Sequence, residues 1–90
     1  MRYHLRYSSS ARHALKHLPR EVALKFVAEL QDLAEEPDPR LYVKRLQGAG
    51  VPPFYSLRIG QYRAVMSILD EVMVIHVIEV GHRGGVYRKF

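Results

Sequence analysis

Apolar and polar residues alternate at the start of the chain and then change to a helical spacing. The stretch RYHLRYS, residues 2–8, has the period-two pattern of a strand with one apolar face. Serines at 8–10 follow, and serine favours the position just before a helix. The apolar residues after them recur every three or four positions, which predicts a first helix over about 9–18.

A second helix is expected to begin near Pro19. The residue before a proline is pushed out of the helical region, whereas proline itself suits the first turn of a helix. Apolar residues then keep one stripe and acidic residues the other side. The stripe consists of Val22, Phe26, Val27, Leu30, Leu33 and Ala34. The prolines of EPDPR, residues 36–40, end the pattern, so the sequence predicts two antiparallel helices joined by a tight turn.

The second half of the chain is strand-like. LYVKRL, residues 41–46, is short and ambiguous, and QGAGVPP, residues 47–53, is typical of a loop. Three strands are predicted over about 54–59, 62–69 and 72–80, with turns at Gly60-Gln61 and Asp70-Glu71. The predicted fold class is α+β. A single domain, residues 1–90, has an N-terminal strand, a two-helix hairpin and an antiparallel β-meander, in a four- to five-stranded sheet with the helices on one face.

Hairpin geometry predicts which residues share a face of this sheet. A two-residue first turn places Arg58 opposite Arg63 and Ser56 opposite Val65, on the face away from the helices. The helices should cover the other face, which carries Leu57, Ile59, Tyr62, Ala64, Met66 and Ile68. Even-numbered residues of the last strand, including His76 and Ile78, should share the arginine side. Continued along the strand, this parity puts His82 beside Arg63, although a one-residue slip at the second turn would exchange the faces.

Composition and charge narrow the functional classes. The chain has no cysteine, and none of its apolar runs approaches the roughly 20 residues that cross a bilayer. A cytoplasmic protein without a membrane partner is therefore expected. The net charge of +5 is segregated: residues 1–20 and 39–69 contain Lys and Arg but no acid, whereas residues 21–38 contain six acids and one Lys. This pattern favours a polyanion such as RNA, or an acidic protein partner, and simple solubility is the alternative.

Four short motifs occur in order behind the predicted helix hairpin. They are KRLQG at 44–48, LRIGQYRAV at 57–65, VIHVIEVGHR at 74–83 and VYR at 86–88. With them the chain resembles the RelE/ParE superfamily of type II toxin–antitoxin toxins. The resemblance implies a small basic toxin that is neutralised by a cognate antitoxin, possible stoichiometries including a heterotetramer. In the RelE branch the toxin enters the ribosomal A site and cleaves mRNA, whereas the ParE branch inhibits DNA gyrase.

The resemblance also implies a catalytic set. Arg63 matches the catalytic arginine of the family, Arg83 the arginine after the last strand, and Tyr87 the tyrosine near the C-terminus. The RNA's own 2′-hydroxyl is the nucleophile, and neither a metal nor another cofactor is needed. His13 and His17 have a metal-capable i, i+4 spacing, but no third ligand is apparent.

The chemistry needs a proton acceptor, positive charge on the transition state and a proton donor. Arg63 and Arg83 suit the charge, and His82 and Tyr87 are the candidates for proton transfer. Phosphate binding is assigned to five further cations, Lys44, Arg45, Arg58, Arg88 and Lys89. Each residue also has a structural interpretation: Arg63 as a solvated charge, His82 as a loop residue, Tyr87 as an anchor for the tail.

One departure from the family keeps the function open. Phe54 and Ser56 stand where better-studied RelE toxins carry lysines. The leading hypothesis is a ribosome-dependent endoribonuclease that inhibits translation. The alternatives are a ParE-like gyrase inhibitor and a catalytically degenerate toxin that only binds its antitoxin.

Overall fold

A strand, two helices and four further strands follow one another in the computed structural model, which describes residues 2–46 and 53–82. The strands are β1 (His4–Tyr7), β2 (Lys44–Arg45), β3 (Tyr55–Ile59), β4 (Tyr62–Leu69) and β5 (Val74–His82), and the helices are α1 (Ser9–His17) and α2 (Arg20–Glu35). Short 3₁₀ turns span Pro39–Tyr42 and Asp70–Val72. The predicted element order is confirmed. The ambiguous stretch 41–46 divides into the end of one 3₁₀ turn and the two-residue β2.

The ends of the helices follow from local chemistry. Ser8 caps α1, because its Oγ accepts a hydrogen bond from the Ala11 amide at 2.9 Å. Leu18, which precedes Pro19, leaves the helical region and ends α1. Neither described helix is long and apolar enough to cross a lipid bilayer.

The five strands form one mixed sheet in the order β1-β5-β4-β3-β2. Strands β2 to β5 pair antiparallel, as predicted for the meander, and β1 pairs parallel with β5. The N-terminal strand β1 therefore does not extend the antiparallel pattern. It forms one edge of the sheet, beside β5. The α+β fold class, with helices laid on one face, is confirmed.

The core lies between α2 and the helix-covered face of the sheet. Phe26 and Leu30 of α2 are fully buried, together with Met66, Ile75 and Val77 of the central strands. This arrangement confirms the predicted apolar stripe of the second helix. It also leaves the opposite face of the sheet free to carry polar residues.

The turn between β4 and β5 is tied to distant parts of the chain. Asp70 accepts hydrogen bonds from the Tyr3 hydroxyl at 2.8 Å and from Arg40 at 2.9 Å. Arg40 also donates to the Ile68 carbonyl and lies over the Tyr55 ring, 5.9 Å from its centroid. The predicted tight turn is thus a 3₁₀ turn whose carboxylate joins the segment before β1 and the 3₁₀ turn after α2 to the sheet.

Candidate functional site

The face of the sheet away from the helices carries the two predicted arginines, and we call it the arginine face. Its first cross-strand row consists of Arg58, Arg63 and Gly81, on β3, β4 and β5. The predicted pairing of Arg58 with Arg63, and of Ser56 with Val65, is confirmed. Because both arginines lie in one row, their Cα atoms are about 5 Å apart.

The two arginines differ in burial. Arg58 is exposed, and its Nε donates to the Gly60 carbonyl at 3.1 Å. Arg63 retains only 8% of its accessible surface. The interpretation of Arg63 as a solvated charge is therefore wrong. A guanidinium keeps its charge when buried, so the fold holds a fixed positive charge at the centre of this face.

A second row crosses the same face one step further along the strands. It consists of Lys44, Ser56, Val65 and Glu79. Ser56 is 3% exposed, and within the described residues its hydroxyl has no hydrogen-bond partner. Leu46 and Phe54 pack against Val65, so this part of the face is covered by apolar side chains. Glu79 accepts a hydrogen bond from the Ser10 hydroxyl at 2.8 Å.

A third row contains Ser67, His76 and Arg6, on β4, β5 and β1. The predicted placement of His76 on the arginine face is confirmed. Arg6 is an exposed cation of this face that sequence reasoning missed. The pattern of β1 shows that Arg6 lies opposite the apolar side, but the parallel pairing with β5, which brings it beside His76, joins residues about 70 positions apart.

The predicted phosphate-binding cations divide between the two faces. Lys44 pairs with Ser56 and therefore lies on the arginine face with Arg58. Arg45 pairs with Tyr55, a core residue, so it lies on the helix-covered side of the sheet. Placing Arg45 with the other cations would require one face for two consecutive strand residues, and strand geometry does not allow that.

A β-bulge in β5 changes the position of His82. Met66 pairs with Val77 and Val65 pairs with Glu79, so Ile78 is an extra residue. Beyond it the parity reverses, and His82 pairs with Tyr62 rather than lying beside Arg63. The rings of Tyr62 and His82 meet edge to face with centroids 5.9 Å apart. The prediction that His82 shares a face with Arg63 is therefore wrong.

Four predicted site residues, Arg83, Tyr87, Arg88 and Lys89, lie outside the described residues, as does most of the predicted loop, residues 47–52.

In the described ranges, no three histidines or carboxylates come close enough together to bind a metal ion. The His13 and His17 rings lie 4.3 Å apart, and His17 Nδ1 is 2.8 Å from the His13 carbonyl oxygen. Within the described residues, the predicted site therefore consists of a cationic sheet face suited to phosphate oxygens.

Comparisons with known proteins agree on the family. Residues 5–87 match the family model described as the ParE toxin of the type II toxin–antitoxin system parDE. Toxin RelG of Mycobacterium tuberculosis is 34% identical over 91 residues, which span 99% of this chain and 100% of that protein.

Solved structures of RelE toxins share the fold. The archaeal RelE–RelB complex from Pyrococcus horikoshii superposes with a TM-score of 0.76 and 28% identity, covering 93% of this chain and 98% of that one. The RelBE2 toxin–antitoxin complex from Mycobacterium tuberculosis gives 0.75 and 29%, with 92% and 100% covered. The isolated Escherichia coli RelE toxin gives 0.74 and 25%, with 98% and 99% covered. The chain belongs to the RelE/ParE family of toxins of type II toxin–antitoxin systems.

Proposed function

We propose that the protein is a ribosome-dependent endoribonuclease that cleaves mRNA in the A site and so inhibits translation. The observation that carries the proposal is the pair of Arg58 and Arg63 in one row of the sheet, one exposed and one buried. A cation held in place before the substrate arrives does not have to be reorganised when charge develops on a phosphate. The exposed arginine beside it can attract and align the RNA backbone.

The reaction follows from the chemistry of RNA. The 2′-hydroxyl oxygen attacks the adjacent phosphorus, the bond between phosphorus and the 5′-oxygen breaks, and a 2′,3′-cyclic phosphate and a 5′-hydroxyl result. The proton of the 2′-hydroxyl passes to a base, and the leaving 5′-oxygen takes up a proton. Arg63 stabilises the negative charge of the pentacoordinate transition state, a role that it shares with Arg83 through the family resemblance.

Tyr87, rather than His82, is assigned as the proton donor to the leaving 5′-oxygen. His82 points to the helix-covered side, where it meets Tyr62, and a proton-transfer group must come within hydrogen-bond reach of the reacting oxygen. The ribosome supplies the remaining part of the catalysis by orienting the mRNA for in-line attack. Action on translating ribosomes places the protein in the cytoplasm.

The test compares Arg63→Ala with Arg20→Ala, an exposed arginine at the first residue of α2. Cleavage of mRNA is measured on programmed ribosomes with purified toxin. We expect codon-phased cuts with the wild type and with Arg20→Ala, and a loss of about 100-fold or more with Arg63→Ala, the typical effect of removing a transition-state charge donor. Full growth arrest with intact mRNA would overturn the proposal.

The match to the ParE toxin model supports a second candidate, inhibition of DNA gyrase. The resemblance links the ParE branch to that target. A supercoiling assay with purified gyrase separates the two functions: the nuclease leaves supercoiling intact, whereas a gyrase inhibitor blocks it and leaves mRNA uncut. A protein inactive in both assays would be a degenerate toxin.

The proposed regulatory partner is a cognate antitoxin with an acidic segment. The solved Pyrococcus horikoshii structure is a complex of RelE with RelB, and the Mycobacterium tuberculosis structure is the toxin–antitoxin complex RelBE2. The arginine face offers Arg6, Lys44 and Arg58 as exposed cations for such a segment. Co-purification with the product of the adjacent gene, followed by loss of mRNA cleavage on titration, tests this pairing.

A further inference from the structure

Ser56 departs from the general rule that buried polar groups are hydrogen-bonded. Its side chain is 3% exposed, and its hydroxyl has no hydrogen-bond partner in the described part of the chain. Leaving such a group unsatisfied destabilises a protein, and alanine at the same position would remove the cost. Residues that lower stability in this way are retained where they serve function.

The surroundings of Ser56 indicate what the hydroxyl could bind. Lys44 is its cross-strand neighbour on β2, and Arg58 lies on the same face of β3 two residues further on. Same-face neighbours along a strand are about 7 Å apart, and cross-strand neighbours about 5 Å. Ser56 therefore has a cation on two sides, and a hydroxyl together with Lys and Arg is the donor set that binds phosphate oxygens.

Glu79, the carboxylate in the same row, does not compete with a bound anion for the cations beside Ser56. Glu79 lies on β5, two strands away from Ser56, and accepts a hydrogen bond from Ser10. An anion beside Ser56 would thus face Lys44 and Arg58 before it met the carboxylate. The charge arrangement favours a phosphate over a cation or a neutral base edge.

We propose that Lys44 and Ser56 form a second RNA-backbone subsite, in which the Ser56 hydroxyl donates a hydrogen bond to the phosphate next to the scissile one. This rests on the proposed ribonuclease function, in which Arg63 stabilises the charge on the scissile phosphate and Arg58 aligns the RNA backbone. The hydroxyl is covered in the free protein, so neighbouring side chains move when RNA binds, as side chains at interfaces commonly do.

The test uses Ser56→Ala with Ser67→Ala as its matched control. Ser67 is also a buried serine on the arginine face, but it pairs with His76 in the third row. Cleavage of mRNA on programmed ribosomes gives kcat and KM, and thermal unfolding gives the stability. We expect Ser56→Ala to lower kcat/KM about tenfold, mainly through KM, with an unchanged or higher Tm, and Ser67→Ala to cleave like the wild type.

A second arm locates the contact. Messages that carry one neutral methylphosphonate linkage at successive positions around the cut are compared. The substitution next to the scissile phosphate should slow the wild type more than it slows Ser56→Ala, in which only the Lys44 contact to that phosphate remains to be lost. If the wild type cleaves and Ser56→Ala has the same kcat/KM as the wild type, the subsite alone is overturned. A wild type that does not cleave would overturn the proposed function, and the subsite with it.

Discussion

Asp70 joins segments that are far apart in the sequence, and its removal gives a calculable loss of stability. Its Oδ1 accepts from the Tyr3 hydroxyl at 2.8 Å and its Oδ2 from Arg40 at 2.9 Å. Tyr3 is 3% exposed, so Asp70→Ala leaves a buried hydroxyl without its acceptor, at about 1–3 kcal/mol. The Arg40 pair is 32% and 56% exposed and adds only about 0.2–1 kcal/mol.

We therefore expect Asp70→Ala to lower the free energy of unfolding by about 2 kcal/mol, or roughly 10 °C in Tm for a domain of this size. Asp70→Asn keeps an oxygen for the Tyr3 hydroxyl and loses only the charge, so its cost should be about 1 kcal/mol. Urea unfolding at neutral pH measures both. Tyr3→Phe completes a double-mutant cycle that isolates the Tyr3–Asp70 hydrogen bond.

The pKa of Asp70 predicts how this contribution to the free energy of unfolding changes with pH. The Arg40 guanidinium, and after it the Tyr3 hydroxyl, lower the pKa of Asp70. A carboxyl with a lowered folded-state pKa stabilises the protein above its unfolded pKa of about 4, and this stabilisation is lost as the pH falls through the folded value. The wild type should thus lose its advantage over Asp70→Asn below about pH 4. An equal difference at pH 7 and pH 3 would refute the reasoning, as would a cost for Asp70→Ala below about 0.5 kcal/mol.

Two further substitutions test local backbone arguments by thermal or urea unfolding. Gly60→Ala should cost about 1–2 kcal/mol, because Gly60 has φ +59° while no atom of the described residues lies within 4 Å of an added Cβ, so backbone strain opposes the change. Gly60→Asn should cost less, and equal stability of all three proteins would contradict this explanation. Ser8→Ala should cost about 1–2 kcal/mol, because the Ser8 Oγ both caps α1 at Ala11 and donates to the Ile78 carbonyl. Ser9→Ala, an exposed change in the next residue, is the control for the cap and should stay within about 0.5 kcal/mol of the wild type.

Local pattern was sufficient where neighbours in the sequence are neighbours in space. The β3–β4 hairpin turns at Gly60-Gln61, so its register follows from the turn length and from the faces of a few residues. The end of α1 before Pro19 depends on the chain alone. The parallel pairing of β1 with β5 has no such local determinant, and for that reason Arg6 could not be placed beside His76 in advance.

The β-bulge at Ile78 shows why the position of His82 could not be predicted by counting. VIHVIEV reads equally well as one unbroken strand, and nothing in its composition marks the extra residue. The bulge is instead a feature of the tertiary fold: Ser8, at the start of α1, bonds the carbonyls of Val77 through its amide and of Ile78 through its hydroxyl. The residue that caps the helix thus also anchors the irregular part of β5, and the parity of every later residue depends on it.

The two arginines Arg58 and Arg63 differ in burial, although the sequence pattern does not distinguish them. Arg58 and Arg63 occupy equivalent positions in one hairpin, yet in the part of the chain that the structure describes β2 pairs with Tyr55 and Ser56 and does not reach the row of Arg58. Arg63 lies on the central strand, which has a neighbouring strand on both sides. Strand order therefore decides which arginine is fixed and which is exposed. In the proposed enzyme this difference assigns charge stabilisation to Arg63 and salt-dependent RNA attraction to Arg58, because exposed charges are screened by salt far more than buried ones.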